Sequence, residues 1–259
     1  MTEYSGRGDP ARSMELLWGT RKSRARGPKP GLDVEQIVRA AIEIADAEGL
    51  TGLSMRRVAE QLEVGTMSLY TYVPGKAELL DVMLDTVLGE ITEADISDRG
   101  WRATLEQRMR DYWALYHRHP WTLRISGARA LLGPNELGLY DSTLRAIDGL
   151  GLDGSEMVAA VGLVYGYVRG AAQNAVEAAG AATRTGVTDD EWWAARGPLL
   201  ERYFDASRYP TAASVQATGA FDGPEDGANY NLHYALGAFE FGLQRVLDGI
   251  EAFVRQRGR

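Results

Sequence analysis

The stretch SMRRVAEQLEVGTMSLYTYVPG, Ser54 to Gly75, constrains this chain more than any other. Ser54 is a good N-cap, and Val58, Ala59 and Leu62 follow it at the spacing of a buried helical stripe. Glu63-Val64-Gly65 leaves room only for a tight turn. A second short helix starts near Thr66, with Leu69 and Val73 at i and i+4, and Pro74-Gly75 ends it. Two short helices around a glycine-containing turn form a helix-turn-helix, whose second helix enters the DNA major groove. Leu69 and Val73 face inward, so Met67 and Thr71 lie opposite, flanked by Ser68 and Tyr70. Small polar groups and phenols on such a face suit base edges and phosphates.

The flanking segments read as helices. Asp33 and Gln36 form a capping box ahead of Ile37, Ala41, Ile44 and Ala45, and Gly49 is placed to end that helix. A further helix is expected from Lys76 to about Glu90. Helical periodicity continues from Trp101 to Pro120, then from Trp121 to Leu132 and from Asn135 to Leu150. Another helix starts with Ser155 as its cap. Yet another carries Trp192, Trp193, Leu199, Leu200 and Phe204. Residues 209–229 read as a loop, and an amphipathic helix runs from Tyr230 to Arg255. No strand alternation and no internal repeat is evident. The expected fold is all-α: a three-helix DNA-binding domain with a helix-turn-helix, over 32–76, and a larger helical ligand-binding and dimerisation domain, over 77–259.

The net charge of −8 argues against nucleic acid until its distribution is considered. Residues 1–76 hold 11 basic and 10 acidic side chains, against 17 and 26 in 77–259. Arg21, Lys22, Arg24, Arg26 and Lys29 fall in a stretch without acidic residues. Residues 1–31, rich in Gly, Pro, Arg and Ser, read as a flexible basic arm, either solvated or laid in a minor groove. The apolar run Met157–Val168 is too short to span a membrane. The absence of cysteine and of an apolar leader leads to the expectation of a cytoplasmic protein.

GLTGLSMRRVAEQLEVGTMSLYTYVPGKAELLDVML resembles the DNA-binding domain of the tetracycline-repressor (TetR) family of bacterial regulators, through SMRRVA, LYTYV and PGKAELL. The helical remainder is similar to that family's C-terminal domain. The resemblance implies that Arg56 contacts a base or phosphate, that Thr66, Met67 and Ser68 face base edges, and that Tyr70, Tyr72 and Lys76 hold phosphates. Glu63 stands where the family often has glycine. The resemblance also implies a small-molecule effector bound in the C-terminal domain, and a homodimer built from the helix over 155–179 and the last helix. Tetracycline repressor holds a magnesium–drug chelate through a histidine. The three histidines here, His117, His119 and His233, fall elsewhere than the matching position near Ser126–Gly127, so neither metal nor cofactor is expected.

Candidate ligand-binding residues are the aromatic and polar side chains on otherwise apolar helices: Trp113, Tyr116, Trp121, Arg124, Tyr140, Tyr165, Arg169 and Asn174. A buried polar group needs a partner, which a ligand can supply. Gly162, Gly166 and Gly170 recur on one helix face and permit close approach, within the chain or across a dimer. His117 and His119 read as cations at a helix end. The reading is a homodimeric regulator, a repressor released from a pseudo-palindromic operator in double-stranded DNA by an unidentified small molecule. The alternative is a helical small-molecule-binding protein or enzyme without operator binding. No nucleophile–base pair, phosphate loop or metal cluster supports catalysis.

Overall fold

The computed structural model describes residues 3–4, 6–19, 32–91, 100–223 and 229–257. Two compact units emerge: residues 1–169 with 245–259, and residues 170–244. Beyond a two-residue strand pair, the architecture is helical.

In the first unit, α2 (Val34–Gly52) starts on the expected box, in which Asp33 accepts from Gln36 N while the Gln36 side chain accepts from Asp33 N. Gly49, at φ 70°, breaks its helical geometry near the end. Helices α3 (Met55–Gln61), α4 (Thr66–Tyr70) and α5 (Lys76–Leu88) follow. Ile37, Ala41, Val58, Leu69, Val73, Leu79 and Met83 are buried to 1% exposure or less, so these inward residues read from periodicity form the core around α2 to α5. Burying each of the larger ones contributes about 1.5–3 kcal/mol.

Next come α6 (Gly100–Arg118), a 3-10 turn at Pro120–Arg124 and α7 (Pro134–Ile147). The helix expected over 121–132 is absent. Pro120 opens the 3-10 turn, Ile125–Ser126 is extended, and 127–133 is irregular with Leu132 at φ 62°. Helix α7 is capped from outside its own segment, because Asp85 on α5 accepts from the backbone N–H groups of Asn135 and Glu136. Gly133 is required there, since a Cβ would lie 2.2 Å from Asp85 Oδ1.

The N-terminal segment departs from the expected flexible arm. Residues Glu3–Tyr4 (β1) pair in parallel with Ile125–Ser126 (β2), and α1 (Pro10–Leu17) packs on α5 with Leu16 and Leu17 buried. Asp81, 1% exposed, accepts from Gly6 N and Ser13 Oγ, and Trp18 Nε1 donates to Leu132 O at 3.1 Å. Met14–Gly19 reads from sequence either as a short docking helical turn or as part of a floppy tail, the favoured reading; the first is what the structure shows, in a helix that starts earlier, at Pro10. The basic residues Arg21 to Lys29 lie outside the described residues.

Helix α8 (Gly154–Ala179) begins in the first unit, capped by Asp153 rather than Ser155, with Glu156 completing the box. The second unit holds the rest of α8, α9 (Ala181–Thr185), α10 (Asp189–Tyr203), α11 (Pro210–Gln216) and the first part of α12 (Tyr230–Arg257). The expected loop over 209–229 thus contains a helix begun by Pro210, which suits a first helical turn. Trp192, Trp193, Leu199 and Leu200 are helical as expected but exposed.

Candidate DNA interface and ligand cavity

The turn between α3 and α4 closes by a specific pattern. Val64 N donates to Ala59 O and Glu63 N to Glu60 O, a Schellman ending with Glu63 in the left-handed region at φ 54°. An L side chain there is strained by about 1–2 kcal/mol. Glu63→Gly is therefore expected to raise stability by about 0.5–1 kcal/mol, the left-handed strain being partly offset by glycine's extra unfolded-state entropy. Thermal melting checks this, and an unchanged or lower midpoint would mean that the turn carries no such strain.

Anchored by Leu69 and Val73, α4 presents its other face outward. Met67 is 78% exposed, Tyr70 42%, and Ser68 is exposed, while Thr66 and Tyr72 are half-buried. Arg56 projects from the first turn of α3, its exposed guanidinium 2.8 Å from Glu60. Such an exposed pair is weak and yields readily to a phosphate. Lys76 Nζ donates to Leu50 O at 3.1 Å, tying the start of α5 to the end of α2.

A cavity of about 600 Å³ lies in the same unit. Leu84 and Leu88 of α5, Tyr112, Leu115 and Tyr116 of α6, Tyr140 of α7, Tyr165 and Arg169 of α8, and the irregular stretch around 125–132 line it. Its rim is thus the segment that β1 and Trp18 touch. The Tyr112 and Tyr165 rings meet at a tilt of 57° with centroids 4.9 Å apart, and Tyr165 OH lies 2.9 Å from Thr143 Oγ1. Burial pushes the Tyr112 phenol well up, so it stays protonated and able to donate. Arg169 Nη2 donates to the carbonyls of Leu123 and Ile125, at 3.0 and 2.6 Å.

Of the expected ligand residues, Tyr116, Tyr140, Tyr165 and Arg169 line this cavity, whereas Trp113, Trp121, Arg124 and Asn174 do not. Trp113 stacks on His117, and Arg124 and Asn174 are exposed. Trp121 belongs to a different cluster. Its Nε1 and His119 Nδ1 both meet Asp46 Oδ1 at 2.8 Å, and His119 Nε2 lies 3.2 Å from Glu90. His119, 4% exposed, is thus a buried joint between α2 and the chain after α6 rather than an exposed group at a helix end. Burial alone would raise the Glu90 carboxyl, but hydrogen bonds from Arg118 and His119 outweigh it and hold the group below its usual value.

Leu84, Leu88, Tyr112 and the 125–132 rim escaped sequence reasoning, because an apolar helix face has the same period whether it meets a core or a cavity. Among the described residues no cluster of metal ligands occurs, and no helix is long and apolar enough to cross a membrane.

Residues 37–83 match the model for bacterial regulatory proteins of the tetR family, and residues 95–254 match the tetracyclin repressor-like C-terminal domain. The chain belongs to the TetR family. That family is one of bacterial transcriptional regulators that bind DNA through a helix-turn-helix. A relative from Streptomyces coeruleorubidus, the HTH-type transcriptional repressor DrrR1, is 48% identical over 257 residues, covering 99% of this chain and 91% of the relative. Among solved structures, apo ActR from Streptomyces coelicolor is similar with a TM-score of 0.68 at 25% identity, covering 90% of this chain and 99% of ActR. ActR in complex with actinorhodin gives 0.69 at 26%, covering 86% and 97%.

Proposed function

We propose that this TetR-family repressor works in the cytoplasm as a homodimer, holds a pseudo-palindromic operator through α3 and α4, and releases it when a small molecule fills the cavity lined by α5 to α8. The observation that carries this reading is the path of α5. Its first turn follows α4 after only Thr71–Gly75, and the same helix offers Leu84 and Leu88 to the cavity. One rigid rod therefore touches the ligand site and carries the recognition helix. A ligand shifts the protein only by binding one conformer better than another. Here the favoured conformer is one in which α5 tilts, and two recognition helices no longer match half-sites about one or more helical turns apart.

In this reading Thr66, Met67 and Ser68 meet base edges, with Met67 free to pack on a thymine methyl. Tyr70, Tyr72 and Lys76 hold phosphates, and Arg56 contacts a base or a phosphate. Support for a dimer comes from large apolar side chains left exposed on the two longest helices. In the first unit these are Val158 and Leu163 of α8 and Phe253 of α12, and in the second unit Leu236 and Phe241 of α12. A Cβ added at Gly162, Gly166 or Gly170 would meet nothing, so packing within the chain does not require those glycines. Two-fold symmetry then matches a two-fold site.

Fluorescence-anisotropy titration against the DNA flanking the gene, at two salt concentrations, tests the reading. Tight binding at one pseudo-palindrome should weaken by ~100-fold or more between 50 and 200 mM salt. Tyr72→Ala should cost at least ~10-fold. Affinity no better than for random DNA, or indifference to Tyr72→Ala, would count against the assigned interface.

A further inference from the structure

Arg108 lies one turn before Tyr112 on α6 and is 2% exposed. Its Nη2 donates to Ser142 Oγ at 2.9 Å. Among the described residues Nε and Nη1 have no hydrogen-bond partner, and no carboxylate pairs with the guanidinium. A buried cation without counter-charge is strongly unfavourable. Ser142 is itself fully buried and neutral, so it cannot balance the charge. The groups on which that charge acts are Tyr112 and Tyr165, and its field favours the ionised form of both phenols. Both phenols line the cavity.

The rest of the wall does not compensate. Arg129 and Arg169 add two more cations. Glu136 is the carboxylate on the wall, and it accepts from Leu132 N at 2.8 Å. Burial, together with nearby Asp85, pushes its carboxyl up, against the hydrogen bonds from Leu131 and Leu132, and its bond to Leu132 N ties it to the rim rather than to Arg108.

We propose that the effector is an aromatic acid, which places a carboxylate or acidic phenol at the Tyr112–Tyr165 end of the cavity, where Arg108 supplies the uncompensated positive charge. This rests on the assignment of the cavity as the effector site. The tyrosines and leucines of the wall take a flat apolar body. Tyr165 donates to Thr143 Oγ1, whose own hydroxyl is spent on Leu139 O, so it is the Tyr112 phenol that turns from Tyr165 to donate to the acid, and the cation behind it strengthens that donation. Specificity follows from the penalty on ligands that leave the buried cation unpaired.

A matched pair of probes tests this on the full chain: anthracene-2-carboxylate and its neutral carboxamide, titrated by anisotropy of their own fluorescence at pH 7.5. The carboxylate should bind about tenfold or more tighter than the carboxamide. In Arg108→Met that ratio should collapse toward one while the melting temperature holds or rises, since a buried unpaired charge is gone. Arg108→Lys should keep part of the preference. Equal binding of the two probes to the unaltered chain overturns the acid preference and leaves the cavity assignment standing. A preference that survives in Arg108→Met, or a fall in melting temperature with the ratio unchanged, makes Arg108 structural and also overturns it. Binding of neither probe by a chain that still binds its operator overturns the cavity assignment itself, and this proposal with it.

Discussion

Replacing Ser68 by glutamate should abolish operator binding, with a loss of ~100-fold or more in affinity, while leaving the fold intact. Ser68 is exposed on the third residue of α4, so no core contact is lost, and a carboxylate near a helix N-terminus is mildly favourable to the helix. Facing DNA, the same carboxylate meets phosphates and acceptor-rich base edges without a counter-charge, and like-charge juxtaposition costs several kcal/mol. In a dimer the cost is incurred twice. Ser68→Ala separates charge from the loss of one hydroxyl and should cost no more than ~10-fold. Circular dichroism and melting should match the unaltered chain. A Ser68→Glu protein that binds its operator normally would show that this face of α4 points away from the groove.

Asp46→Ala should destabilise the chain by about 2–4 kcal/mol, because one carboxylate oxygen serves two buried donors. Trp121 is 2% exposed and His119 4%, and both nitrogens reach Asp46 Oδ1 at 2.8 Å. Removing the acceptor strands the indole N–H and the imidazole Nδ1, leaving His119 only its contact with Glu90. For a chain of this size the melting midpoint should fall by roughly 4–16 °C. Asp46→Asn keeps an acceptor oxygen and should lose less than half as much. A midpoint unchanged in Asp46→Ala would mean that water replaces the carboxylate at no cost. The cluster joins the first helix of the DNA-binding module to the turn after α6. Its loss should therefore also blunt the release of DNA by an effector, measured as the ligand concentration needed for half-release.

The DNA-binding module was legible in the sequence because its instructions are local. Asp33 with Gln36, Ser54 with Arg57 N, and Pro74-Gly75 each act within four residues, and periodicity identifies Leu69 and Val73 without knowledge of what they touch. The cavity is a different kind of object. Its wall gathers single residues from four helices and an irregular stretch, and periodicity cannot separate Tyr112, which lines it, from Trp113, which does not. The cap of α7 illustrates the same limit, since Asp85 lies about fifty residues upstream of the helix that it starts. Composition misled at residues 3–19, where few apolar residues suffice because α5 provides the other half of the contact. In the 121–132 segment, helical spacing was overridden by Pro120 and by the pairing of Ile125–Ser126 with β1.

That pairing has a consequence in time. Glu3 lies opposite Ile125, so β1 and its partner are separated by more than a hundred residues of translation. At a synthesis rate of roughly 5–20 residues per second, β1 waits some 6–24 s for β2 to exist. During that interval α2 to α4 can already fold on their local contacts, and the faces of α1 that carry Leu16 and Leu17 have no partner until α5 arrives. The segment that crosses the cavity rim is thus laid down after the rim itself, as the closing step of assembly rather than its start.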